Sequence, residues 1–306
     1  MQKMDEQTRS FLEKDNASDE PEMEQIPIEE GRKLAEQWVV PSSIQLESIS
    51  DIKISTADAE IPLRIYVPKV TKPLPVYITF HGGGWVYGSL NTHDPFCREI
   101  AEQAGVIVVS VDYRLAPEHK YPAALNDCYG AVNWVKTHIH ARGGDPNRLG
   151  IGGVSAGGNL AAAVVLKAKE ELYPNFQAQV LNVPVLQYNF DTPSYQKYAE
   201  GYFLTKKLMM WFWDQYLDKK TDGQVPMASP LNAPDLSGLP PTLLVLAEFD
   251  PLYDEGFAYG GKLKAANVPV TMLSYPTIHG FTGLSHHLDL GKKATSDMAE
   301  FLKTNL

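Results

Sequence analysis

The pentapeptide Gly153-Val154-Ser155-Ala156-Gly157 places a serine between a β-branched apolar run and a helix-like segment. A sharp strand-to-helix turn there lifts the hydroxyl above the sheet edge, and the flanking glycines let backbone and helix approach without a Cβ clash. The N–H groups opening the next helix point at negative charge that develops beside the serine. A second signal, His81-Gly82-Gly83-Gly84-Trp85, follows directly on the run PVYITF. Three consecutive glycines after a strand permit a turn with outward-facing amides, the construction of an oxyanion hole for acyl chemistry.

A nucleophilic serine needs a base, and the base an orienting acid. The histidines are His81, His93, His119, His138, His140, His279, His286 and His287. His279 stands out, because it lies in a loop after the apolar run 268–275 and precedes Gly280. His286 and His287 fall in the expected final helix, and His138 and His140 read as solvated surface near a helix end. For the acid, Asp250 follows the strand TLLVLA and Glu248-Phe249, at a strand end where sites of open α/β sheets gather. Asp254 and Glu255 are rivals inside the next helix. The order Ser155, Asp250, His279 is that of an α/β-hydrolase triad.

Other chemistries find less support. Gly150-Ile151-Gly152 imitates a dinucleotide-binding turn, but the third glycine is Ser155 and the acids Glu170 and Glu171 sit late in a helix. No H-E-x-x-H, cysteine cluster or phosphate loop occurs, so neither metal nor cofactor is expected. Cys97 and Cys128 are too few for a disulfide framework and read as packed thiols.

These residues need a scaffold. Strand-like runs at 75–80, 105–111, 148–154, 176–183 and 242–247 are apolar on both faces, as strands covered on both sides must be. Helix-like segments at 122–140, 156–172, 254–266 and about 286–303 alternate with them. The pattern predicts a doubly wound α/β sheet, with the more cleanly alternating segments 48–55 and 61–67 as an antiparallel edge. Two pieces fall outside the alternation. Residues 1–45 begin as an acidic stretch, either a disordered tail or structured, and run into a short helix at 29–40 stopped by Pro41. Residues 187–225 form an insertion in which Thr205 caps a helix carrying Leu208, Trp211, Phe212 and Gln215 at helical spacing. Met209, Met210 and Trp213 make the other face of that helix apolar, which predicts cover on more than one side.

The chain of 306 residues carries 27 basic and 37 acidic side chains, a formal charge of −10. That balance argues against nucleic acid or an anionic membrane as partner, since both select basic surfaces. The first 30 residues hold Lys3, Arg9 and Lys14 against ten acids, unlike a secretory signal, and no run reaches a membrane span. A cytoplasmic protein is expected.

Five motifs in order, HGGGW at 81–85, DYRLAPEHKYPAA at 112–124, GVSAGGNLAA at 153–162, DPLYDEG at 250–256 and His279-Gly280-Phe281, resemble those of the hormone-sensitive-lipase-like α/β-hydrolases, the bacterial family IV esterases. The resemblance covers about residues 40–305. It implies an eight-stranded, mostly parallel sheet formed by 46–186 and 226–306, with a helical cap from 1–45 and 187–225. It implies Ser155 as nucleophile, His279 as general base and acid, Asp250 as its orienter, and the amides of Gly83, Gly84 and Ala156 around the oxyanion. The family commonly has Asp or Thr where this chain has Val154, whose side chain should point away from the hydroxyl. Trp85, Tyr202, Phe203, Leu204, Trp211 and Phe281 are candidates for lining the acyl or alcohol pocket, each with core packing as its alternative. By the same resemblance short-acyl esters are the expected substrates, and two copies are expected to pair through the last strand. Amide hydrolysis or acyl transfer on the same triad stays open. A non-hydrolysing, small-molecule-binding relative is disfavoured by the intact triad.

Overall fold

The computed structural model describes residues 3–18, 21–71, 73–171 and 175–306. Eight strands, β1 Ser48–Ser55, β2 Glu60–Val67, β3 Leu74–Phe80, β4 Ile107–Val111, β5 Gly144–Val154, β6 Ala178–Asn182, β7 Thr242–Phe249 and β8 Val270–Ile278, form one sheet. Its order is β1-β2-β4-β3-β5-β6-β7-β8. The β1–β2 and β2–β4 pairs are antiparallel and the rest parallel, so the alternating segments are the antiparallel edge. Nine helices are described: α1 Glu6–Asp15, α2 Ile28–Gln37, α3 Leu90–Ala104, α4 Ala123–His138, α5 Ala156–Glu170, α6 Pro193–Lys197, α7 Lys206–Tyr216, α8 Tyr253–Ala265 and α9 Asp289–Asn305.

Alternate residues of the central strands feed two cores. Val76, Ile78 and Phe80 of β3 and Ile107, Val109 and Val111 of β4 pack with α4, α5 and α8, while Tyr77 and Val108 pack with α3 and α9 on the opposite face. Each such side chain is worth roughly 1.5–3 kcal/mol relative to exposure, so a run apolar on both faces is stable only between two helical layers. Crossovers through helices then make the parallel pairing possible.

Several boundaries differ from the sequence expectation. β8 continues to Ile278, so His279 directly follows a strand. His286 and His287 precede α9, which starts at Asp289: their side chains contact each other and, for His287, Phe11, instead of riding a helix. The helix expected over 156–172 is described to Glu170, and Leu172 lies outside the described residues. Residues 90–104, to which the apolar pattern assigns no element, form α3 despite Pro95, between a Ser89–Thr92 capping box and Gly105 in the left-handed conformation. The acidic start holds α1, whose cap Asp5 accepts from the Thr8 N–H.

In α7, Thr205 Oγ1 accepts from the Leu208 N–H as expected of an N-cap. Phe212 on one face and Met209 and Trp213 on the other are buried, as is Tyr216, so the helix is covered on more than one side as expected, with Met210, 45% exposed, the exception. Phe212 meets Tyr87 and the Gly84 position of the glycine loop, while Trp213 packs against Trp85 and Tyr188. No described helix is long and apolar enough to cross a membrane.

Candidate active site

Strand register gathers the site at one sheet edge. Phe80 pairs with Gly153, and Val154 with Asn182, so the residues after β3 meet the turn after β5. Phe249 pairs with Ile278, which sets Asp250 and His279 side by side at the ends of β7 and β8. The parallel strands all end here, the usual position of a site in an open α/β sheet.

Ser155 has φ 55° and ψ −117°, a strained conformation for a residue with a side chain. The surroundings fix it. Its N–H donates to Asn182 O at 2.9 Å, and its carbonyl accepts from Asn159 N at 3.0 Å. The Asn159 side chain donates to the Val185 and Ala228 carbonyls, tying the start of α5 to the segment beyond β6. A Cβ on Gly157 would stand 2.0 Å from the Phe80 carbonyl oxygen, and one on Gly153 2.3 Å from Gly157, so both flanking glycines are sterically required.

The three predicted side chains meet. His279 Nδ1 donates to Asp250 Oδ2 at 2.7 Å, and Nε2 accepts from Ser155 Oγ at 2.9 Å. A carboxylate oxygen only accepts, so it places the imidazole proton on Nδ1 and leaves Nε2 free to take the serine proton. The other Asp250 oxygen accepts the Leu252 N–H at 2.9 Å. Ser155 and His279 are each 7% exposed and Asp250 1%, so the relay works in a largely water-excluded setting. The rivals Asp254 and Glu255 are engaged elsewhere. Asp254 accepts from Ser194 N at 2.7 Å and Glu255 from Leu186 N at 2.6 Å, tying the start of α8 to the chain between β6 and β7. Burial pushes the Glu255 carboxyl well above the usual range, with nearby Asp250 adding to the shift.

The glycine run is braced from behind. Tyr113 donates to His81 O at 2.8 Å and stacks on the His81 ring at 4.2 Å. Arg114, the next residue, donates to the buried Asp127 carboxylate through Nε and Nη2, and its backbone N–H donates there too. Arg32 of α2 donates to the carbonyls of Val86 and Ala116 and pairs with Glu118, joining the N-terminal segment to this loop. Gly83 and Gly84 have φ of 111° and 58°. Desolvation lowers His81 to about 4 and His93 to about 3, so both are neutral structural residues.

The remaining candidates are placed as follows. Trp85 is wholly buried, stacked at 4.2 Å on Tyr216 and tilted against Trp213. Phe281 is wholly buried against Tyr275. Leu204 is buried, Tyr202 packs against Tyr198 and Phe249, and half-buried Trp211 lies near Tyr87. Half-buried Phe203 packs on Phe11 of α1. The side chain of half-buried Val154 is turned toward Gly82, 3.6 Å from where a Cβ there would stand. Cys97 and Cys128 are buried free thiols.

Sequence reasoning missed several supports. Asn182 Nδ2 donates to Thr282 Oγ1 at 2.8 Å, pinning the His279 loop to the strand beside the nucleophile. Thr8 and Thr277, both buried, share a hydrogen bond of 2.8 Å two residues before His279. Their only sequence signal is a polar residue at a position that the fold buries.

The arrangement performs acyl transfer. His279 takes the Ser155 proton as Oγ attacks an ester carbonyl, then gives it to the departing alcohol, and a water activated the same way releases the acid. Comparison with known proteins agrees. The alpha/beta hydrolase fold family matches residues 77–283. Carboxylesterase NlhH of Mycobacterium tuberculosis is 40% identical over 253 residues, 81% of this chain and 79% of its own. Ethyl acetate hydrolase of Pseudomonas putida is 33% identical over 294 residues, 93% and 92% of the two chains. A thermostable esterase crystal structure from Pseudomonas putida ECU1011 superposes with a TM-score of 0.94 at 38% identity, covering 100% of this chain and 98% of the other. At such identity over such spans, the chain belongs to the carboxylesterases of the α/β-hydrolase fold related to hormone-sensitive lipase, serine hydrolases that cleave esters through an acyl-enzyme.

Proposed function

We propose that this esterase acts on short-acyl esters of simple or aromatic alcohols. The observation that carries the proposal is the near-complete closure of the triad among bulky side chains: Tyr202 packs on Phe249 beside Asp250, Phe203 lies by Gly280, Trp211 lies near Tyr87, Leu204 is buried, and Trp85 and Phe281 are wholly buried in the loops after the glycine run and His279. Bulky aromatics leave little length for an acyl chain. The relative named for ethyl acetate hydrolysis, which aligns over nearly the whole chain, supports the same reading. Around the nascent oxyanion we assign the N–H groups of Gly83, Gly84 and Ala156. Ala156 opens α5, whose first N–H groups have no intrahelical partner, and the positive φ values of the two glycines suit a turn with exposed amides.

In this reading residues 1–45 and 187–225 form a cap over a core of 46–186 and 226–306. The buried thiols and the acidic balance fit the cytoplasm, and that balance disfavours nucleic-acid and membrane partners. β8 ends the sheet with an open edge on which a second copy can pair.

The test is burst and steady-state hydrolysis of p-nitrophenyl esters from acetate to dodecanoate by wild type and Ser155→Ala. Turnover highest for short chains, and absent in the variant, is expected. A preference for acyl chains above about ten carbons would overturn the substrate assignment. Activity retained by the variant would remove Ser155 as nucleophile.

A further inference from the structure

Phe203 is held in an unusual way. The Leu204 N–H donates to the Tyr202 carbonyl at 2.9 Å across Phe203, whose φ is 70°. That is a γ-turn of the positive-φ kind, rare and strained for a residue with a side chain, and it persists only where the surroundings enforce it. The ring lies against the catalytic loop: its Cε1 is 3.6 Å from where a Cβ on Gly280 would stand, and Gly280 follows His279. Phe11 of α1 also meets it edge to face, with centroids 5.8 Å apart and planes at 67°.

Helix α1 is fixed to the segments on both sides of this contact. Asp5 N donates to Pro276 O at 2.9 Å, and Thr8 bonds Thr277, both on the strand leading into His279. Asn16 Nδ2 donates to Gly201 O at 3.1 Å, two residues before Phe203. The Gln7 side chain donates to the Asp289 carboxylate and accepts from its N–H, beyond the histidine loop. Phe11 is thereby set by the same strand that sets His279.

We infer that Phe203, positioned by Phe11, is the specificity-determining wall on the leaving-alcohol side of the active site. The geometry of the reaction assigns the side. The acyl carbon bonds to Ser155 Oγ, whereas the alcohol oxygen must come within hydrogen-bond reach of His279 Nε2 to receive its proton. A ring packed beside the histidine loop therefore meets the alcohol substituent before it meets the acyl chain. Trp85 and Phe281 have no exposed surface with which to do this, while Phe203 is only half-buried. Its aromatic ring favours a flat aromatic alcohol, which it can meet edge to face or offset.

The inference rests on the triad roles given above, and the experiment separates the two. All acetate esters pass through one acetyl-enzyme, so differences in kcat/KM among phenyl, cyclohexyl and ethyl acetate report the alcohol alone. A second series of phenyl acetate, butanoate and hexanoate reports the acyl side. Phe203→Leu should lower the phenyl-to-ethyl ratio of kcat/KM about tenfold relative to wild type, one aromatic contact's worth, with the acyl-series ratios changing less than about twofold. Phe203→Tyr keeps the ring and should keep the wild-type ratio, which guards against a folding defect in the leucine variant. Phe11→Leu should shift the ratio in the same direction, and add nothing further in the Phe203→Leu background, as expected of a positioning residue. Equal losses in both series, a shift confined to the acyl series, or full additivity of Phe11→Leu and Phe203→Leu would overturn the inference. Absence of ester turnover in wild type would instead refute the triad roles beneath it.

Discussion

Replacing Asp250 by Asn changes one atom and keeps the volume, yet the hydrogen bonds leave the amide no satisfactory orientation. One carboxylate oxygen accepts from His279 Nδ1 and the other from the Leu252 N–H. An amide offers one acceptor and one donor group. The Leu252 N–H is a fixed backbone donor, and turning the amide NH2 toward it would bury two opposed donors at a cost of about 1–3 kcal/mol. The imidazole can yield, because it has two tautomers. The favoured arrangement therefore points the amide NH2 at Nδ1 and leaves the ring proton on Nε2, where it blocks uptake of the Ser155 proton. Productive turnover needs the disfavoured orientation and also loses the carboxylate's charge-assisted bond to the imidazolium, worth about 2–3 kcal/mol more. The combined loss of about 5 kcal/mol corresponds to a fall near 10⁴ in kcat with little change in KM. Steady-state kinetics on phenyl acetate at pH 7, with thermal unfolding to confirm an intact fold, would measure it. A fall smaller than about 30-fold in a fully folded variant would show that the Asp250 bond does not set the tautomer.

Three further outcomes follow from the same structure. Gly84→Ala places a Cβ 2.2 Å from the Phe212 ring at a φ of 58°, so the glycine loop must move; kcat should drop about 10²-fold, and an unchanged kcat would exclude the Gly84 amide from the oxyanion site. His81 and His93 are lowered by burial to about 4 and about 3, so their neutral burial is fully stabilising above the unfolded value near 6.5 and is lost as pH falls toward the folded values. His81 alone should cost about 3 kcal/mol by pH 4, and His93→Gln should move the acid-unfolding midpoint to lower pH; an unmoved midpoint refutes the assignment for His93. Glu255 titrates in the opposite sense. Its raised folded value gives stability that is complete below about 4.5 and declines as pH rises, so Glu255→Gln should flatten the fall of Tm above about pH 4.5, and parallel Tm profiles would count against a raised Glu255.

The parts of the site legible in the sequence are those that a backbone constraint writes into neighbouring residues. The nucleophile turn is readable because Gly153 and Gly157 face backbone atoms at distances that exclude any side chain. The acid was readable from a strand end followed by Pro251, and His279 from a loop position before Gly280, although the strand before each runs farther than the apolar run alone marks. Helix α3 was hidden because Pro95 interrupts its pattern, while its two ends carry the information in Ser89, Thr92 and Gly105.

The sequence by itself determined the chemistry: a serine on a strained turn, a glycine run after a strand, an acid and a histidine in hydrolase order, and an alternation of elements that sheet-forming chains can satisfy in few ways. Tertiary structure alone decided what surrounds that chemistry. Thr8 finds Thr277, Phe11 finds Phe203 and Asn182 finds Thr282 across long stretches of chain, and nothing near any of these residues in the sequence marks the partner. Local motifs are imposed by bonds and sterics within a few residues, whereas these contacts exist only once the two hydrophobic layers and the parallel register have brought distant segments together.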